Sequence, residues 1–256
     1  MSSLSIEPIP CLNDNYAYLI RDEAAGLCAV VDPSEPDPVR IRLRERGARL
    51  THILNTHHHL DHTGGNLDLK VEFHATVIGP GKDRDRIPGI DVGVDESAPW
   101  EFGRHQVTVL EIPAHTKAHI AFVFSDSSAA FTGDTLFAMG CGRLFEGTPA
   151  MMWAAMQKLM ALPDSTRVYC GHEYTLSNGR FALTVEPGNA DLAARMREVE
   201  ALRAKGEPTI PTTIGLEKRT NPFMRPDSAE IRHALGLESA SDIEVLAETR
   251  RRKDSF

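Results

Sequence analysis

Residues 55–66 read NTHHHLDHTGGN, with four histidines and an aspartate inside positions 57–62, behind a short apolar run and ahead of two glycines. A lone histidine is most often a surface or core residue, and His52, His74, His105 and His233 are read that way. The cluster differs in order and context. His57 and His59 are two apart, so an extended backbone turns both rings to one side. Asp61 and His62 follow Leu60 and can face a second point, and Gly64-Gly65 is read as a tight turn. His58 points away from its neighbours in such a chain and is left out of the donor set. The preceding run, THILN (51–55), reads as a strand, and α/β sheets place their sites beyond strand ends.

Three more strands end in the same way. VTVLEIPAH (107–115) delivers His115, AAFTGD (129–134) delivers Asp134, and RVYCGH (167–172) delivers His172. Seven donors are too many for one tetrahedral ion, which takes four in a closed site and three plus water in a catalytic one. Two ions fit. One would have His57, His59 and His115, the other Asp61, His62 and His172, with the two oxygens of Asp134 bridging them. No thiolate is among the donors, so zinc, iron and manganese all suit, zinc being the default. Two divalent ions, two aspartates and a bridging hydroxide held by Asp134, Asp61 and His59 leave a net charge of about +1. Such a centre polarises a carbonyl while holding its own nucleophile, so hydrolysis is the expected chemistry.

The rest of the chain sets the frame. Eight short β-rich runs, at 16–20, 28–32, 51–55, 75–79, 107–112, 120–124, 129–133 and 167–171, are bounded by turn residues. Helices are predicted over 37–47 and 149–162, the second a Met- and Ala-rich core-facing helix. After His172 the composition turns helical, with Leu192, Met196, Val199 and Leu202 at helical spacing between a capping Asn189 and Gly206. Two further helices are expected at 227–236 and 241–252. The expected organisation is an α/β domain over 1–172 and a helical domain over 173–256.

A formal net charge of −8 over 256 residues argues against a broad basic surface for nucleic acid. No run of about 18 apolar residues occurs, so no membrane span is expected. The opening MSSLSIEPIPCLNDNYAYLI lacks a basic segment followed by an apolar one. Cys11, Cys28, Cys141 and Cys170 form no CxxC pair and read as buried thiols of a reducing compartment. A cytoplasmic, monomeric enzyme is expected.

THHHLDH (56–62), followed in order by His115, Asp134 and His172, resembles the metallo-β-lactamase superfamily pattern THxHxDH. That resemblance implies a four-layer αββα sandwich with a dinuclear site at one edge. IPCLNDNYAYLI (9–20), TGDTLFAMGCGRLFEGT (132–148), CGHEYTLSN (170–178), NPFMR (221–225) and RRRKDSF (250–256) resemble the glyoxalase II, or hydroxyacylglutathione hydrolase, family over nearly the whole chain. This second resemblance implies hydrolysis of the thioester S-D-lactoylglutathione to glutathione and D-lactate, the second step of methylglyoxal detoxification. It also implies that Arg143, Arg250 and Lys253 meet the acidic end of glutathione, with Tyr174 and Asn178 adding hydrogen bonds. Read without the resemblance, basic residues at 250–253 would simply close a helix and offset its dipole, and Tyr174 would be core packing. Two departures stand out. HTKAH (115–119) has Ala118 at an expected glycine, and Arg143 and Phe145 stand where lysine and tyrosine are usual. His119 is assigned to support of the fold or of the ligands around the metal. The rivals are a lactonase, β-lactamase or ribonuclease on the same scaffold, a one-iron persulfide dioxygenase, and a non-catalytic metal-sensing module.

Overall fold

The computed structural model describes residues 4–256 and divides by packing into two compact units. One comprises the chain up to Glu111 together with Ala118–Gly133; the other is Ile112–Lys117 with Asp134–Phe256. These packing units are not the domains 1–172 and 173–256 expected from composition.

The first unit holds β1 (Ser5–Cys11), β2 (Asn15–Asp22), β3 (Leu27–Val31), α1 (Pro36–Arg46), β4 (His52–Leu54), α2 (Leu60–Thr63), α3 (Asn66–Phe73), β5 (Thr76–Pro80), β6 (Val92–Val94), β7 (Trp100–Phe102), β8 (His105–Glu111), β9 (Ile120–Phe124) and β10 (Ala129–Gly133). Strands β1 to β6 form one sheet in sequence order. The first three pair antiparallel, and β3 to β6 run parallel, with α1 and α3 carrying the chain back between β3 and β4 and between β4 and β5. Strands β7 to β10 pair antiparallel in order.

Alternation along the strands separates the two faces of the first sheet. Ala17, Leu19, Cys28 and Val30 join Val39 and Leu43 of α1 and Leu69 of α3 in one buried cluster. Tyr18 points the other way, and its ring meets Phe131 of β10 at 5.6 Å. His52 of β4 likewise meets Trp100 and Phe102 of β7 at 5.8 and 5.3 Å. This unit is therefore helix on sheet on sheet, with an aromatic layer between the sheets.

The second unit holds a short hairpin of β11 (Leu136–Phe137) and β12 (Gly140–Cys141), then α4 (Pro149–Met160), β13 (Arg167–Cys170), α5 (Thr175–Val185), α6 (Ala190–Ala204), β14 (Thr212–Thr213), α7 (Ile214–Thr220), α8 (Ala229–Leu235) and α9 (Asp242–Asp254). Helix α4 buries Met152, Ala155, Met156 and Leu159, one stripe at helical spacing, as expected of a core-facing helix. Helix α6 starts where Asn189 accepts from Leu192 N and packs Leu192, Met196 and Val199 onto Ala182 of α5. Helix α9 opens with a capping box between Ser241 and Glu244. All eight expected strands form, while β1, β6, β7, β14, the hairpin and helices α2, α3, α5 and α7 are additions to the sequence reading. The four cysteines are buried and outside any disulfide. Among the described residues no helix is long and apolar enough to cross a membrane.

Candidate metal centre

Each unit presents its own set of donors. In the first unit the parallel strands end side by side: Asp32 N donates to Leu54 O and Asn55 N to Ile78 O. The chain leaving β4 then passes through His57 and His59 and enters α2, a single turn that carries Asp61 and His62. The Gly64-Gly65 pair does not supply an unusual turn, as the sequence reading had it. Both glycines have ordinary right-handed dihedrals. They are glycine because the backbone of Pro33–Glu35 lies against them, and a Cβ on Gly64 would run into Ser34 O.

Rings and carboxylates in this cluster are oriented by a buried network. Asp32 accepts from Thr56 N at 2.8 Å and from Thr56 Oγ1 at 2.6 Å, and it faces His62 Nδ1 at 3.2 Å. The hydroxyl proton of Thr56 goes to Asp32, so Thr56 Oγ1 accepts from His57 Nδ1 at 3.0 Å. The Nδ1 hydrogens of His57 and His62 are thereby taken, and each ring offers its Nε2 lone pair. Asp32, His57 and His62 together form one possible ion-holding group. Asn15 Nδ2 donates to Asp61 O and to Asp61 Oδ2, both at 3.1 Å. His119 stacks on His57 at 4.6 Å and supports the ring, consistent with the role assigned to it. Gly133, at φ +47, leaves the room that Thr56 Oγ1 and the His119 ring occupy. His58 turns away to Asp83, with Nδ1 to Oδ2 at 2.9 Å.

In the second unit His115, Asp134 and His172 meet. Asp134 Oδ2 lies 3.4 Å from His115 Nε2 and 3.3 Å from His172 Nε2. His115 Nδ1 donates to Arg143 O at 2.9 Å, which again leaves Nε2 to the front. Tyr174 stacks flat on His172 at 4.6 Å, and Phe145 lies 5.2 Å from His115 with 62% of its surface exposed.

The donor spacings fit shared ions. Two ligands each about 2.0–2.2 Å from one tetrahedral ion stand roughly 3.3–3.6 Å apart. His57 Nε2 and His59 Nδ1 are 3.2 Å apart and Asp61 Oδ2 and His62 Nε2 3.6 Å, beside the 3.4 and 3.3 Å at Asp134. One oxygen of Asp134 thus neighbours the Nε2 atoms of two imidazoles. All donors are imidazole nitrogen or carboxylate oxygen, a set suited to divalent metals.

The five residues expected to bind substrate lie in the second unit. Arg143 is open to solvent, 3.6 Å from Asp254. Lys253 Nζ donates to Ser177 Oγ at 3.1 Å and lies over the ring of Phe181. Burial, with the nearby charges of Arg250 and Arg143, lowers its pKa below that of an ordinary lysine. Arg250 is only 6% exposed: Nη1 donates to Cys141 O at 2.7 Å and Nη2 pairs with Asp254 at 3.0 Å. Asn178 is also buried, and its Nδ2 donates to Ala138 O at 3.1 Å. The sequence reading gave Asn178 a hydrogen bond to substrate; the structure shows one of its two amide N–H groups bonded to the hairpin. Sequence reasoning missed Asp32, Thr56 and Asn15. The only signal for them was position: Asp32 ends the strand beside THILN, Thr56 opens the motif, and Asn15 lies in the NDNY turn.

Residues 13–172 match the family model described as the metallo-beta-lactamase superfamily, and residues 173–256 match the model described as hydroxyacylglutathione hydrolase C-terminus. The hydroxyacylglutathione hydrolase of Methylococcus capsulatus is 52% identical over 253 residues, 99% of each chain. That of Rhodospirillum rubrum is 52% identical over 256 residues, 100% of each chain. Among solved structures, TTHA1623 in a di-iron-bound form is 26% identical with a TM-score of 0.61, covering 85% of this chain and 99% of its own. Full-length identity of this order, joined to the matched helical C-terminus, shows that the chain belongs to the hydroxyacylglutathione hydrolase family and carries the metallo-β-lactamase fold.

Proposed function

We propose that this chain hydrolyses S-D-lactoylglutathione, a thioester, to glutathione and D-lactate. Two divalent metal ions, zinc by default, would be held by His57, His59 and His115 and by Asp61, His62 and His172, with Asp134 common to both. The observation that carries the reading is the placement of Asp134 Oδ2 within 3.4 Å of both His115 Nε2 and His172 Nε2. Bound there, the ions would acidify a water and polarise the thioester carbonyl.

The chain's own residues have separate tasks. Asp32 and Thr56 hold the Nδ1 sides of His62 and His57, and Arg143 O holds that of His115, so the rings cannot rotate away. Arg143 and Lys253 offer positive charge to the carboxylates of glutathione, with Arg250 fixing the ground between them through Cys141 O and Asp254. Tyr174, stacked on His172, presents its ring beside the reacting end. The leaving group is a thiolate whose conjugate acid has a pKa near 8.5, so no general acid is required to expel it. This agrees with a donor set in which every carboxyl and imidazole already has a holding task.

Metal analysis combined with steady-state hydrolysis of lactoylglutathione tests the reading. Two ions per chain and thioester cleavage are expected, and Asp61→Ala should lose one ion and most turnover. Full activity with one ion per chain overturns the two-metal scheme. Oxygen uptake with glutathione persulfide, in place of thioester cleavage, would move the chain to the dioxygenase alternative.

A further inference from the structure

The segment between Asp134 and Arg143 is a tight hairpin whose backbone is bonded by side chains from the helices that follow it. Asn221 Nδ2 donates to Phe137 O at 3.1 Å and to Gly140 O at 3.0 Å. The same amide reaches Glu217 Oε2 at 2.9 Å, and that oxygen accepts Met139 N at 2.7 Å. The other carboxylate oxygen of Glu217 accepts from Thr212 Oγ1 at 2.6 Å. Met139 has φ +53, a conformation side chains rarely adopt, so its amide is held in place rather than resting there. Glu217 and Asn221 are both fully buried. A buried carboxylate and amide that between them bond Phe137 O, Met139 N and Gly140 O form a template for that hairpin.

What the hairpin carries is the site. Its base is closed where Gly142 N donates to Thr135 O, one residue beyond Asp134. Its exit is Arg143, whose carbonyl accepts from His115 Nδ1. Gly142 itself has no room for a Cβ, which would meet Asp134 O and, at 2.9 Å, His115 Nδ1. A shift of the hairpin would therefore move Asp134 and release His115 together. We propose that Glu217 and Asn221 are positioning residues: acting through the hairpin, they set Asp134 and the ring of His115 for metal binding. The NPFMR string thus acquires a task for its asparagine.

The inference rests on the metal-centre reading above. The test compares wild type, Glu217→Ala, Glu217→Gln and Thr212→Val by zinc competition against a chromophoric chelator, with the folded fraction followed by circular dichroism. Glu217→Ala should bind zinc about 10–100-fold more weakly while folded, the usual loss when a group that orients a ligand is removed. Glu217→Gln keeps an oxygen for Met139 N and should restore affinity. Thr212→Val touches only the outer oxygen and should lower stability without changing affinity. Should Glu217→Ala not fold, Asn221→Ser carries the same expectation, and adding Met139→Gly, which takes φ +53 without a Cβ, should recover part of the loss in either variant. Wild-type affinity in folded Glu217→Ala or Asn221→Ser would overturn the inference. A wild type that binds no divalent ion would instead end the metal-centre reading.

Discussion

Lys253, proposed above to meet a carboxylate of glutathione, would tie charge to recognition through a single residue. Burial lowers its pKa first, and the charges of Arg250 and Arg143 lower it further. Its ammonium is the form that attracts a carboxylate, so its contribution is complete below the lowered pKa and is lost as pH rises through it. That loss begins below the range of an ordinary lysine. KM for the glutathione thioester should therefore climb at a pH below that at which an ordinary lysine loses its charge, and Lys253→Arg, always charged, should flatten the climb. Identical KM–pH profiles in the two proteins would remove Lys253 from the recognition of substrate. The same scale explains what could be read in the chain beforehand. Each proposed ligand is a residue type with few uses just beyond a strand end, so His57, His59, Asp61, His62, His115, Asp134 and His172 stood out from sequence. Asp32, Thr56, Asn15 and Glu217 did not. A lone aspartate, threonine or asparagine at a strand end looks like a turn residue, and a glutamate inside a helix looks like solvated surface until its burial is known.

At the level of elements, the donors depend on how closely α2 can approach the loop after β3. Gly64 sits where a Cβ would collide with Ser34 O, a backbone atom that cannot rotate aside. Gly64→Ala must push α2 outward, and overpacking of this kind costs about 1–3 kcal/mol. Urea unfolding should show that loss, and metal analysis should show the ion held by Asp61 and His62 weakened with it. An unchanged midpoint and two retained ions would mean the loop yields and α2 does not move. The elements were legible in unequal degree. Strands β2, β3, β9 and β10 were legible as apolar runs buried on both faces, β8 as an alternation, and α1, α4 and α6 followed from their terminal residues and spacing. The short pieces were not visible. Helix α2 is one turn, β11 and β12 are two residues each, and β14 is two residues. Pieces so short hold their shape through tertiary contacts such as those of Glu217 and Asn221, and local propensity says little about them.

For the whole molecule, the change in composition after His172 coincides with the join between the two matched family models. The compact units instead divide near Glu111 and Gly133, a division set by tertiary contacts, which composition does not record. The proposed ligands lie far apart in sequence, from His57 to His172. Ions held by such a set bind the folded chain and not the unfolded one, so they stabilise it by mass action. A single site with free ion at a hundredfold over Kd adds about 2.7 kcal/mol, which for a chain of this size is a shift of roughly 5–10 °C in Tm. The cysteines supply an independent gauge of that shift. Burial pushes the Cys28 and Cys170 thiols up to about 12 and those of Cys11 and Cys141 to about 11, so the reactive thiolate is scarce at neutral pH in the folded chain. Thiol reagent should therefore find the native metal-loaded chain silent and label all four residues as it unfolds. Chelation should lower the temperature at which labelling begins by the same interval as Tm, and readdition of zinc should restore it. If labelling and Tm are both indifferent to chelator, the proposed ligands do not hold ions that contribute to the stability of the fold.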